Sequence, residues 1–107
     1  MPEGKITIKY LQQYIRSKDH APQQKKEYFL KLTEEVGELA YAMRKDLRPK
    51  DDAQIKETIE EELWDVMYYL IALANCYNID LERVIPMKEA INNEKYKTGK
   101  TFLGEGS

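Results

Sequence analysis

Between Ile55 and Tyr77 the chain places apolar side chains on opposite sides of one helix, and this constrains the fold more than any other feature. Advancing about 100° per residue puts Ile55, Ile59, Val66, Leu70, Leu73 and Tyr77 on one face. Trp64, Met67 and Ile71 point the other way. A helix that is apolar nearly all round is buried nearly all round. A chain of 107 residues with about four helices cannot cover both faces by itself. The second face is therefore expected to pack against another copy.

The remaining sequence keeps a helical spacing with sparse punctuation. Ile8, Leu11, Tyr14 and Ile15 predict a first helix over 7–18, broken by Asp19-His20-Ala21-Pro22. Phe29, Leu32, Val36, Leu39, Ala40 and Met43 form the expected core stripe of a second, running from 22 or 23 to 45. Residues 46–52 read as a loop, and the third helix is expected over 53–77. Asp80 then suits the N-cap of a fourth helix reaching Lys97, with Pro86 predicting a kink or a break. No segment alternates as a strand would. The expectation is an all-α bundle completed by oligomerisation, as a homodimer or homotetramer. It forms one domain over 1–107, with 99–107 as a flexible tail.

Charge narrows the function classes. With 17 basic and 19 acidic residues the net charge is −2, which argues against a nucleic-acid binder driven by bulk charge. No uncharged apolar run reaches the roughly 18 residues a membrane span requires, and Met1-Pro2-Glu3-Gly4 lacks the apolar core of a signal peptide. Cys76, the single cysteine, has no intrachain partner for a disulfide. A reducing cytoplasm is the expected setting.

The acids are concentrated where they cost most. From Lys56 to Asp65 five acids face one base, and acidic first turns of helices account for Glu57 and Glu60. They do not account for Glu62, which lies on the apolar face between Thr58 and Val66 with Asp65 on its flank. A carboxylate on a packing face is expensive unless something compensates it. The second helix repeats the anomaly: Glu35 and Glu38, three apart, share a side next to its stripe. Gly37 between them costs roughly 1 kcal/mol relative to Ala and is expected to admit a neighbouring backbone or a ligand. Packed side by side, the two helices would bring four carboxylates together, and these cannot all stay ionised without a cation. An all-oxygen set without His or Cys suits Mg²⁺, with Mn²⁺ as a substitute. A di-iron bundle needs Glu-x-x-His pairs, and the one histidine, His20, is far from both motifs.

Leu32-Thr33-Glu34-Glu35-Val36-Gly37-Glu38-Leu39, followed by Glu61-Glu62-Leu63-Trp64-Asp65-Val66-Met67-Tyr68-Tyr69-Leu70, resembles the MazG-like nucleotide pyrophosphohydrolases of the all-α NTP pyrophosphatase superfamily. A gap of 23 residues separates Glu38 from Glu62, and the resemblance extends over 28–97. It implies hydrolysis of a nucleoside triphosphate between the α and β phosphates in nucleotide-pool housekeeping. Glu35, Glu38, Glu62 and Asp65 would then hold Mg²⁺, and Tyr69, Lys88 and Asn92 match substrate-contacting positions. Lys95 is expected to face a phosphate. Glu34 and Glu61 each precede an expected ligand and are candidates to take a proton from water.

Basic flanks suit a polyphosphate: residues 16–31 carry five bases against two acids, and 86–100 four against two. Relatives selective for deoxycytidine nucleotides place a His before the first motif and a Trp shortly after it; Lys45 stands near the latter place. Tyr28, Tyr41 and Trp64 offer stacking surfaces, and the base stays open. Two alternatives keep their place. One is the same chemistry on another nucleotide-like substrate such as phosphoribosyl-ATP. The other is a non-catalytic helical oligomer that binds ions or a partner.

Overall fold

A computed structural model describes residues 4–51 and 53–103. Among the described residues it is all-α and contains no strand. The helices are α1 (Ile8–Lys18), α2 (Lys25–Arg44), α3 (Ile59–Cys76) and α4 (Leu81–Lys95), with a 3-10 turn at Pro22–Gln24 leading into α2. No helix among them is long and apolar enough to cross a membrane.

Side-chain caps set where three of these helices begin. Thr7 Oγ1 accepts from the Tyr10 N–H at 3.0 Å, Thr58 Oγ1 from Glu61 N–H at 3.4 Å, and Asp80 Oδ1 from Glu82 N–H at 3.0 Å. The cap on Thr58 corrects the expected start of α3 at residue 53. Glu57 has φ 67°, a left-handed conformation through which a right-handed helix cannot propagate. Thr58 is extended, and the Ile59 N–H donates to the Leu47 carbonyl at 2.9 Å. The chain between α2 and α3 is thus closed at its base. Pro86 lies inside a continuous α4, forfeiting the bond its nitrogen would have made to the Glu82 carbonyl, and no break occurs. At the far end Lys97 has φ 51°, so α4 stops at Lys95 rather than Lys97. Of the tail expected over 99–107, residues 104–107 fall outside the described residues.

α2 and α3 form the largest helix–helix contact, and α1 packs on both α3 and α4. Their core is small: Ile15, Tyr28, Ile71, Ala72 and Cys76, with Leu11, Tyr68, Tyr69 and Leu73 half-buried around it. Buried polar groups orient α1. Gln12 Nε2 donates to Asn75 Oδ1 at 3.0 Å and to the Ile79 carbonyl at 2.8 Å, while Asn75 Nδ2 donates to the Gln12 carbonyl at 3.0 Å. Leaving any of these buried groups unpaired would cost about 1–3 kcal/mol, so the turn between α3 and α4 is held in one place.

The expected faces hold in part: Ile15 is fully buried, Leu32, Leu39, Ile59, Val66 and Leu73 are half-buried, and Trp64 and Met67 of the second α3 face are exposed. On α2 the inward residues are Tyr28 and Ala42, while Phe29, Val36 and Met43 of the expected core stripe are exposed. On α3 Ile71 is buried, whereas Leu70 and Tyr77 of the expected inner face are exposed. Small residues explain the departures at Leu70 and Ile71. Ala72, Ala74 and Cys76 let neighbouring helices approach α3 closely, leaving the bulkier strip of Leu63, Met67 and Leu70 outside. α4 adds a third exposed strip in Val84, Met87 and Ile91.

Candidate metal centre

The seam between α2 and α3 carries the anomalous acids. The helices run antiparallel: Lys25 at the start of α2 lies 5.1 Å from the Tyr77 ring just beyond α3, whereas Leu47 beyond α2 bonds Ile59 at the start of α3. Glu35 in the middle of α2 therefore meets the first turns of α3. One carboxylate oxygen from each of Glu35, Glu62 and Asp65 lies within 4.8 Å of the other two. Glu62 is only 8% exposed; Glu35 and Asp65 are half-buried.

Electrostatics record the crowding. Burial, followed by the charges of Glu35 and Asp65, pushes the Glu62 carboxyl from the ordinary 4.5 up to about 7. Burial and the neighbouring Asp65 also raise Glu35. The charged side chains acting on them are all carboxylates, with Asp65 common to both, Glu38 adding a smaller push on Glu35 and Glu61 on Glu62. A divalent cation would supply the missing positive charge. The donor chemistry fits a hard ion, because every member offers carboxylate oxygen.

The other residues singled out from the sequence distribute as follows. Glu38 is exposed and lines a cavity of about 280 Å³ with Tyr41, Ala42, Leu47, Glu57 and Glu62. Tyr69, one turn beyond Asp65, lines a second cavity of about 280 Å³ with Asp19, Tyr28 and Lys31. The two cavities thus flank the carboxylate cluster along the seam. Glu34 is exposed and pairs with Lys31 at 3.7 Å. Glu61 accepts from the Glu57 N–H at 2.7 Å, and Glu60 is held by Arg48. Lys88, Asn92 and Lys95 lie on α4, which packs on α1, and none of them lines either cavity. Asn92 donates to Glu89 at 3.1 Å, and the Lys95 ammonium stands 5.2 Å from the Tyr96 ring.

One feature was hidden in the sequence. Glu57, assigned by pattern to a solvated helix start, stands at the mouth of the cavity that Glu38 and Glu62 share. Its left-handed backbone leaves no periodic trace. At Gly37 a Cβ would meet nothing within 4 Å, so among the described residues no neighbouring backbone makes the close approach expected there.

Residues 23–98, which include all four acids of the two motifs, match the family model of the MazG nucleotide pyrophosphohydrolase domain. This chain belongs to that family. Among solved structures, the MazG relative iMazG from Vibrio DAT 722 superposes with a TM-score of 0.77 at 41% identity, covering 85% of this chain and 98% of that one. A second crystal structure of iMazG gives 0.76 at 40% identity, covering 82% and 99%. Rat (Rattus norvegicus) dCTP pyrophosphatase 1 is 40% identical over 78 residues, 68% of this chain and 46% of that protein. YpjD of Bacillus subtilis (strain 168) is 43% identical over 54 residues, 49% of each chain. The chain thus spans about half the length of the curated relatives it matches.

Proposed function

We propose that this MazG-family chain is a Mg²⁺-dependent nucleotide pyrophosphohydrolase, converting a nucleoside triphosphate and water to a monophosphate and pyrophosphate. The observation that carries the reading is the cluster of Glu35, Glu62 and Asp65 on the α2–α3 seam. Glu38, in the cavity it shares with Glu62, would complete the ligand set. A bound Mg²⁺ would screen phosphate charge and lower the pKa of a water.

The chain's own groups would do the rest. Burial around Glu62 excludes competing water, which strengthens each charge interaction at the cluster. Tyr69 offers a ring face one turn away. Glu34 and Glu61 are the proposed proton acceptors, and each would have to release its present partner, Lys31 or the Glu57 N–H, to serve. Lys88, Asn92 and Lys95 are proposed to contact substrate. Because α4 packs on α1, that contact calls for a second copy or a movement of α4. The exposed strips on α2, α3 and α4 support a homodimer or homotetramer, and a reducing cytoplasm suits the unpaired, buried Cys76. The dCTP pyrophosphatase relatives make dCTP the first substrate to try.

The test is pyrophosphate release from dCTP and a panel of other nucleoside triphosphates with Mg²⁺. Wild type should turn over at least one of them. Glu38→Gln and Asp65→Asn should each lose on the order of 100-fold or more with unchanged helical circular dichroism, since a metal ligand supports several kcal/mol of transition-state stabilisation. A wild type silent on the whole panel would overturn the reading in favour of an ion-binding helical oligomer.

A further inference from the structure

Asp19 was legible in the sequence only as part of the break after α1. In the structure its carboxylate joins two helices. Oδ1 accepts from the Tyr28 hydroxyl of α2 at 2.8 Å, and Oδ2 accepts from the Tyr68 hydroxyl of α3 at 2.8 Å. Tyr28 Oη in turn accepts from the Ala21 N–H at 3.1 Å. Burial and then Asp19 push both phenols above their ordinary value, Tyr28 to about 12, so both remain neutral donors across the physiological range.

These bonds could be a plain helix tie. What lies next to them argues for more. Asp19 and Tyr28 both line the cavity that holds Tyr69 and Lys31. Lys31 is one turn before Glu35 and Tyr69 one turn after Asp65, so this cavity opens about 5 Å along the seam from the carboxylates. Tyr68 stands behind Tyr69. Their rings meet edge-on, centroids 5.1 Å apart at 73°, and Trp64 packs against Tyr68 at 6.0 Å and 84°. The Lys18 ammonium lies 5.4 Å from the Tyr68 ring. Tyr68 is thus held at its hydroxyl by Asp19 and at its ring by Trp64, and it packs in turn against the Tyr69 ring.

We infer that Asp19 is a positioning residue for the nucleoside part of the substrate: through Tyr68 it holds Tyr69, and directly it holds Tyr28, as two walls of the cavity beside the carboxylates. The inference rests on the proposed nucleotide chemistry. A substrate whose phosphates lie at the carboxylate cluster extends its nucleoside along the seam, and the wall there is the Tyr69 ring backed by Tyr68.

Two probes separate this role from general stabilisation: a dCTP analogue with a non-cleavable α,β-methylene bridge, and inorganic tripolyphosphate, which has the phosphates without the nucleoside. Binding of each is measured by calorimetry in Mg²⁺ for wild type, Tyr68→Phe, Asp19→Ala and Asp19→Asn, alongside melting temperatures. Tyr68→Phe and Asp19→Ala are expected to bind the nucleotide analogue about tenfold more weakly while tripolyphosphate affinity holds. Asp19→Asn keeps an acceptor for Tyr28 and offers Tyr68 an N–H, and it is expected to recover most of the loss. Equal losses for both probes, or none for either, would overturn the role given to Asp19 and leave the nucleotide chemistry standing. A wild type that binds neither probe would overturn both.

Discussion

The α2–α3 seam and the outer strips of the same helices are built the wrong way round for a self-sufficient bundle. The seam buries Glu62, crowds Glu35 and Asp65 against it, and ties Asp19 to two tyrosines. The outer strips leave Phe29, Val36 and Met43, then Leu63, Met67 and Leu70, facing outward. Hydrophobic burial is the main favourable contribution to folding, and here much of it is withheld from the isolated chain. The contrast is between an interior that accommodates carboxylates and an exterior that leaves apolar side chains uncovered within the chain.

The largest effect should come from charging an outer strip. Met67→Lys is expected to shift the sedimentation mass to that of a single chain with its helices retained; an unchanged mass in a Met67→Lys, Leu70→Lys double variant would mean the strips face water. The seam is tested next, by pH. Glu62 binds its proton more tightly folded than unfolded, so its contribution to stability is full below about 4.5 and is lost as pH rises through about 7. Metal-free wild type should therefore melt progressively lower across that window, Glu62→Gln should fall less because only Glu35 then carries a raised carboxyl, and Mg²⁺ should restore the wild type more than the variant at pH 8. A wild-type melting curve flat with pH would show that the seam carries no such strain. The smallest effect is at Gly37, where Ala should add about 1 kcal/mol of stability because nothing lies within 4 Å. Loss of assembly in Gly37→Ala would instead put that position against the partner copy.

The sequence made the helices legible because their starts rest on local chemistry: Thr7 and Asp80 cap where the pattern begins. Glu62 was legible for the opposite reason, as a charge that contradicts its surroundings. The apolar strips themselves could be read, but a wheel does not say whether the chain or a neighbour covers them, and so Leu70 and Ile71 exchanged places. Glu57 and Asp19 escaped because one depends on a left-handed backbone and the other on partners 9 and 49 residues away. Of the four carboxylates expected to meet, those of Glu35, Glu62 and Asp65 lie together, whereas Glu38 stands outside that cluster, exposed in the cavity it shares with Glu62. The α4 residues were linked to them by resemblance alone, and packing within one chain does not bring them near.

The bond from the Ile59 N–H to the Leu47 carbonyl, together with the Arg48–Glu60 pair, fastens the stem of the α2–α3 connection. What hangs beyond that clasp, at residues 49–51 and 53–54, can change length without altering the spacing between the two arms. Such a segment is a natural place for divergence among related chains, and a point where foreign peptide could be grafted without disturbing the acids below.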